Sequence, residues 1–153
     1  MAKKKIITEI VEPFFEKKNI RYGQLTPYEP KKQNRFLVYF PEELGKITGF
    51  CVSSVSRPTW SPKNGWGEFK IKMHDLIAPS ISKEVFNAIE NYKSLEDKCV
   101  EFSIQVLDPT GVITEVWTIN GEISFIDFGE MDYSSEDNIY ITMIIEPEWV
   151  TLN

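Results

Sequence analysis

The run Val100-Glu101-Phe102-Ser103-Ile104-Gln105-Val106-Leu107, then Asp108-Pro109-Thr110-Gly111, then Val112 to Asn120, decides the fold class of this chain. Val100, Phe102, Ile104 and Val106 alternate with Glu101, Ser103 and Gln105, a period of two that sends one side of a strand into a core and the other into water. Proline presets the first dihedral of a turn and glycine accepts the conformation that closes it, so the segment reads as a β-hairpin.

Working outward, β-branched and aromatic residues mark further strands at Arg35–Phe40, Thr48–Ser56, Trp66–Met73, Glu122–Phe128 and Ile139–Glu146, beside Cys99–Leu107 and Val112–Asn120 of the hairpin. In the third of these Phe69, Ile71 and Met73 alternate with Glu68, Lys70 and Lys72, again one core face and one wet face. A single helix is expected from Lys83 to about Tyr92, with Ser82 as N-cap, Glu84 in the first turn, and Val85, Phe86, Ile89 and Tyr92 on the packed side. The fold class is mainly β with one packed α-helix (α+β): an antiparallel sandwich or barrel with the helix across one face or end.

Residues 1–33 read differently, as an N-terminal arm and linker before a domain spanning 34–153. The pairs Ile6-Ile7, Ile10-Val11 and Phe14-Phe15 have the spacing of an amphipathic stripe, which Pro13 interrupts, so an arm ending in a short helix near Glu12 is expected. From Tyr22 to Gln33 the composition shifts to Gly23, Pro27, Pro30, Lys31 and Lys32, residues that cannot hold a ladder.

At 153 residues one hydrophobic core suffices, and 42% hydrophobic with 26% charged residues is the balance of a soluble globular domain. Apolar runs such as Met143-Ile144-Ile145 fall far short of the roughly 20 residues a membrane helix needs, so no membrane span is expected. Lys3-Lys4-Lys5 followed by Ile6-Ile7 begins like a signal peptide, but Thr8, Glu9 and Glu12 interrupt it, and the chain is expected to stay in the cytosol where it is made. The formal charge of −6 disfavours a role in gripping phosphates.

Raw material for catalysis is thin. The one histidine, His74, precedes Asp75, and neighbours on a strand point to opposite sides, which makes no relay. No HExxH, GxSxG or GxxxxGK[ST] pattern occurs, so no catalytic residue, metal or cofactor is assigned. Cys51 and Cys99 read as buried free thiols, and Glu42-Glu43 and Glu136-Asp137 as solvated loop charges. A barrel binding single-stranded nucleic acid is the alternative outside this class; it is disfavoured because Lys70 and Lys72 lie on the opposite face from the aromatics.

In the last third, Trp117 and Gly121 precede a short strand from Ile123 to Phe128, an acidic turn with Asp127, Gly129, Asp132 and Tyr133, a strand from Ile139 to Ile145, and Trp149. This order resembles the C-terminal part of the tail tube proteins of contractile-tailed bacteriophages. Upstream, Asn34-Arg35-Phe36-Leu37-Val38 is similar to that family's first strand, Phe50 to Pro58 to its second, and Trp66-Gly67-Glu68-Phe69-Lys70-Ile71 to its third. The helix around Val85-Phe86-Asn87-Ala88-Ile89 follows in the same order. The resemblance covers about Asn34 to Trp149.

The resemblance implies a non-enzymatic structural virion protein, assembled in the host cytoplasm, whose copies form hexameric rings stacked into an inner tail tube for genome delivery. The implied partners are other copies of itself, the tail sheath protein, baseplate and tail-terminator proteins and a tape-measure protein, with DNA passing through unbound. A specialised ring at the baseplate or neck, or the tube of a phage-like contractile injection system, is the alternative within the class. Candidate inter-subunit residues are Phe14, Phe15, Asp127, Glu130, Asp132 and Tyr133, from the arm and the acidic loop Asp127–Asp137. Glu101, Ser103 and Gln105 are candidates for the lumen because the exposed face of their hairpin is polar.

Overall fold

The computed structural model describes residues 29–153, so the expected helix near Glu12, with Phe14 and Phe15, lies outside the described residues. The described elements are β1 (Phe36–Tyr39), β2 (Val52–Val55), β3 (Trp60–Ser61), β4 (Gly65–Trp66), β5 (Phe69–His74), α1 (Ile81–Lys93), β6 (Val100–Leu107), β7 (Ile113–Asp127) and β8 (Tyr140–Leu152). Six of the strands make one antiparallel sheet in the order β1-β6-β7-β8-β5-β2, and β3 and β4 pair as a separate small hairpin.

The alternation read from sequence is what closes the core. Phe69, Ile71 and Met73 of β5, Val100, Phe102 and Ile104 of β6, Ile119 of β7 and Ile141, Met143 and Ile145 of β8 are all buried on one face, and Phe102 meets Phe40 and Phe69 edge-on at 6.1 Å in each case. Glu101, Lys70 and Lys72 stay exposed. The sheet curls until its two edges nearly meet. Gly49, on the approach to β2, passes so close to the Val38 carbonyl of β1 that a Cβ there would sit 3.1 Å from the oxygen. The result is a barrel-like sheet, open along the seam between β1 and β2.

Helix α1 lays Ile81, Val85 and Ala88 into this core. Its N-cap is Ser80, whose side chain accepts from the Lys83 N–H, and not Ser82. Ser82 lies in the first turn, where its orphan backbone N–H and its hydroxyl both donate to Asp75 at 3.1 and 2.6 Å, so the carboxylate at the end of β5 caps the helix from outside. Phe86, expected on the packed side, is instead exposed, because Val85 and Ala88 set the buried stripe about one position away. Glu84 accepts from the Thr48 N–H and hydroxyl. The Tyr92 hydroxyl donates to the Lys98 carbonyl at 2.7 Å and accepts from the Ile123 N–H at 3.1 Å, tying the helix end to β7.

Several boundaries differ from those expected, each for a local reason. Thr48–Ser56 is not one strand, since Gly49–Cys51 forms a 3-10 turn before β2 begins. Trp66–Met73 is split, because Gly67 donates to the Thr59 carbonyl in the small hairpin and only Phe69–His74 joins the sheet. The strands expected on either side of Gly121 are one strand, β7. A bulge lies there, and Gly121 stands opposite Pro147 with its Cβ position 2.3 Å from the Glu146 carbonyl oxygen. A residue without a side chain, facing a residue without an N–H, lets the ladder shift register and continue. For the same reason β8 does not stop at Glu146 but runs through Pro147 to Leu152.

Candidate functional site

The two central strands overrun their neighbours. Strand β6 ends against β7 at the Val100–Gly121 pair, which leaves the β6-side edge of Glu122–Asp127 without a ladder. Strand β5 ends against β8 at the Phe69–Ile145 pair, which leaves the other edge of the C-terminal half of β8 without rungs to β5. Val116 and Asn153 exchange both backbone hydrogen bonds, so the antiparallel alternation turns the N–H groups of Val150 and Leu152 away from β7, toward that open side. Two half-strands, each with one edge that carries no ladder, thus lie on opposite sides of the same sheet, with the β3–β4 hairpin packed beside that of β8; such edges are templates for another strand.

The outer face of this sheet mixes polar side chains with exposed Leu37, Tyr39 and Trp149 and carries no cation in its central rows. Cross-strand pairing aligns Tyr39, Ser103, Thr118 and Thr151 in one row, Glu101, Asn120 and Trp149 in a second, and Leu37, Gln105 and Val116 in a third. Glu101, Ser103 and Gln105 therefore share one surface with β7 and β8. Nearer the β7–β8 loop the same face carries Lys70 and Lys72, the latter with its ammonium 4.3 Å from the Tyr140 ring centroid.

Asp127, Glu130, Asp132 and Tyr133 come together in and beside the loop joining β7 to β8, at one end of the sheet. Asp127 accepts from the Gly129 N–H, and Asp132 accepts from both the Ser134 N–H and its hydroxyl. Those two bonds hold the Asp132 carboxyl below the usual carboxylate range. The tip presents Met131 and Tyr133 fully to solvent.

Along the seam of the barrel lies a cluster that the sequence reading did not single out. A groove of about 930 Å³ opens between β1 and β2, lined by Lys31, Lys32, Arg35 and Arg57 together with apolar residues such as Phe50 and Val55. Behind it Glu115 takes Lys31 at 2.6 Å and Arg57 at 3.4 Å. Its carboxyl is held below its ordinary value, first by the Lys31 bond and then by the Trp117 indole N–H. Arg57 lies 5.4 Å from the Trp117 ring centroid. Part of the signal was legible in Lys31 and Lys32, but their Pro-rich context reads as linker.

For metal chemistry, one trio of ligand-type groups occurs among the described residues: Cys99, Glu122 and Glu148, with ligand atoms within 4.8 Å of one another. Burial, then the Glu148 carboxylate, pushes the Cys99 thiol up to about 11, and the group reads as a hydrogen-bonded thiol beside two exposed carboxylates. Cys99 is only half-buried, not buried as expected, because it precedes the first rung of β6. Cys51 is buried, and burial raises its thiol to about 11 as well. Both are free. A pKa near 11 leaves roughly one thiolate in ten thousand at pH 7, so native protein treated with iodoacetamide at that pH is expected to stay unmodified at Cys51 and to react slowly at Cys99. Mass spectrometry should count two adducts once the chain is denatured. Prompt alkylation of native Cys51 would contradict its placement in the core.

No family model matches the chain, and no curated protein matches it by sequence. Solved structures do match its fold. A chain from the sheath/tube terminator of an extracellular contractile injection system, PVC, in the extended state aligns with a TM-score of 0.61 at 14% identity, covering 84% of this chain and 99% of that one. A chain from the sheath–tube complex of the same kind of system aligns at 0.58 and 14% identity, covering 83% and 93%. One from the six-fold symmetrised baseplate of the anti-feeding prophage aligns at 0.54 and 15% identity, covering 82% and 96%. The fold of the described residues is thus similar to that of tube, terminator and baseplate components of contractile injection systems.

Proposed function

We propose that this chain is a structural subunit of a contractile tail or injection device, with residues 34–153 as the tube domain and residues 1–33 as its arm, and that its copies form hexameric rings stacked into the inner tube. The observation that carries this reading is the overrun of β7 and β8, which offers an open strand edge on each side of one sheet. Edge joined to edge is a head-to-tail contact, and it yields a ring when the rotation closes. The six-fold symmetry of one matching assembly supports the number of copies.

On this reading the face bearing Glu101, Ser103 and Gln105 lines the bore. Its central rows offer DNA no lysine or arginine on which to release counterions, and a ring multiplies the formal −6 of each chain sixfold. The chain performs no catalysis in this role; its sheath, baseplate, terminator and tape-measure partners are protein surfaces. A second reading, a low-copy terminator or baseplate ring, is supported by the matches to chains of a sheath/tube terminator assembly and of a baseplate. Copy number in purified particles separates the two: hundreds mean tube, and six or twelve mean an adaptor.

Electron microscopy of the purified chain tests the proposal, with rings or tubes expected. The variant Leu152→Pro removes an N–H that points off the open edge of β8 without touching the β7 ladder, so it should keep the wild-type melting temperature within a few degrees while abolishing rings. A wild-type chain that stays monomeric at high concentration, alone and beside sheath or baseplate, would refute the reading.

A further inference from the structure

The β7–β8 loop and the groove along the β1–β2 seam carry opposite charge. From Asp127 to Ile139 the chain holds Asp127, Glu130, Asp132, Glu136 and Asp137 and no lysine or arginine. The groove is lined by Lys31, Lys32, Arg35 and Arg57 and by no carboxylate. Glu115 and Glu29 offset part of that charge from behind, and the turn residue Asp108, whose Oδ1 accepts from Thr110 and Val112, keeps its own negative charge two residues beyond Val106. Lys32 has no ion-pair partner among the described residues.

We propose that the acidic β7–β8 loop of one copy seats in the basic groove between β1 and β2 of the next copy along the axis, so that stacking is head to tail and driven by charge. This rests on the tube reading above and names the surfaces by which its rings meet. The loop of the same copy does not occupy the groove: none of residues 127–139 lines it, and among the described residues no loop carboxylate pairs with Lys31, Lys32, Arg35 or Arg57. A head-to-tail contact whose repeat runs along an axis without closing a rotation propagates from copy to copy.

The shapes agree with the charges. Ser134 and Ser135 bond Asp132 within the loop tip, where Met131 and Tyr133 stand exposed to solvent. The groove has an apolar floor that includes Ile104 and Val106 and a volume in the range that accepts a few side chains. An aromatic and a methionine entering an apolar floor inside a charged rim is a common interface pattern.

The test compares the full-length wild type, a loop variant (Glu130→Lys with Glu136→Lys), a groove variant (Lys32→Glu with Arg35→Glu) and the combination, by sedimentation and negative-stain microscopy across a salt series. Glu130 and Glu136 make no hydrogen bond or ion pair among the described residues, so the loop variant should fold with the wild-type melting temperature. Each single-surface variant is expected to lower sedimentable tube by roughly tenfold or more and to leave separate rings, because like charges are then juxtaposed across the contact. The combination should restore tubes. Wild-type tubes should shorten as salt rises.

If the wild type forms neither rings nor tubes, the tube reading itself fails. If it forms tubes and the loop variant stacks equally well with an unaltered salt response, the loop does not seat there, and this inference falls while the tube stands; occupation of the groove by residues 1–28 of the same chain would give that result. Loss without rescue in the combination would overturn the groove as the seat.

Discussion

Replacing Gly121 by alanine is expected to destabilise the protein by on the order of 3 kcal/mol or more, read as a drop in the chemical-denaturation midpoint at unchanged slope. A Cβ at this position would stand 2.3 Å from the Glu146 carbonyl oxygen and 2.7 Å from the Pro147 Cα, both backbone atoms of the neighbouring strand. Backbone in the middle of a ladder cannot swing aside as a side chain can, so relief requires β8 to move away from β7 where the two strands cross over their bulge. The obstacle is steric contact and not dihedral, since Gly121 does not occupy the left-handed region. Gly111 provides the contrast: its φ is +87° and a Cβ there meets nothing within 4 Å. Alanine at 111 should therefore cost only about 1–2 kcal/mol, the penalty of a left-handed residue. Equal costs at the two positions would show that strand β7 does not pass Pro147 as described.

Phe102→Ala should be similarly severe by a different route. The ring is fully buried in the centre of β6, with Phe40 and Phe69 each edge-on to it at 6.1 Å, so truncation opens a cavity between strand and strand. Phenylalanine-to-alanine changes in cores cost roughly 3–5 kcal/mol, a large part of the 5–15 kcal/mol that holds an ordinary domain folded. For a chain of this size that corresponds to a fall of about 10–20 °C in melting temperature. Phe102→Leu, which keeps most of the volume, should recover more than half of the loss. Calorimetry on the two variants checks both numbers, and a Phe102→Ala protein melting within a few degrees of wild type would remove this residue from the core.

What the sequence made legible was what depends on nearest neighbours. Alternation along Val100–Val106 and Phe69–Met73 located the buried face of two strands, because a period of two leaves a sheet little choice of side. The acidic loop was legible for the same reason, since a cluster of carboxylates with Gly129 has no core to enter. What was missed depends on residues far away in the chain. Gly121 reads as a break between strands until Pro147 is known to lie across from it. Ser80 and Ser82 are equally good local N-caps, and the choice falls to Asp75, seven residues before Ser82, which takes the second serine for itself. The basic groove was hidden because Lys31 and Lys32 sit among prolines while Arg57 arrives from the far edge of the sheet; only the curl that brings β1 toward β2 makes them one surface.

The bond from the Ile123 amide to the Tyr92 hydroxyl occupies the first amide of the β7 edge beyond β6 that faces outward. If copies pair edge to edge as proposed, a neighbouring strand zipping onto the open edge of β7 would advance along it only until it meets that phenol, because the amide there is already engaged. Every protomer would halt its neighbour at the same rung, which fixes the stagger of an assembled cylinder without any separate ruler.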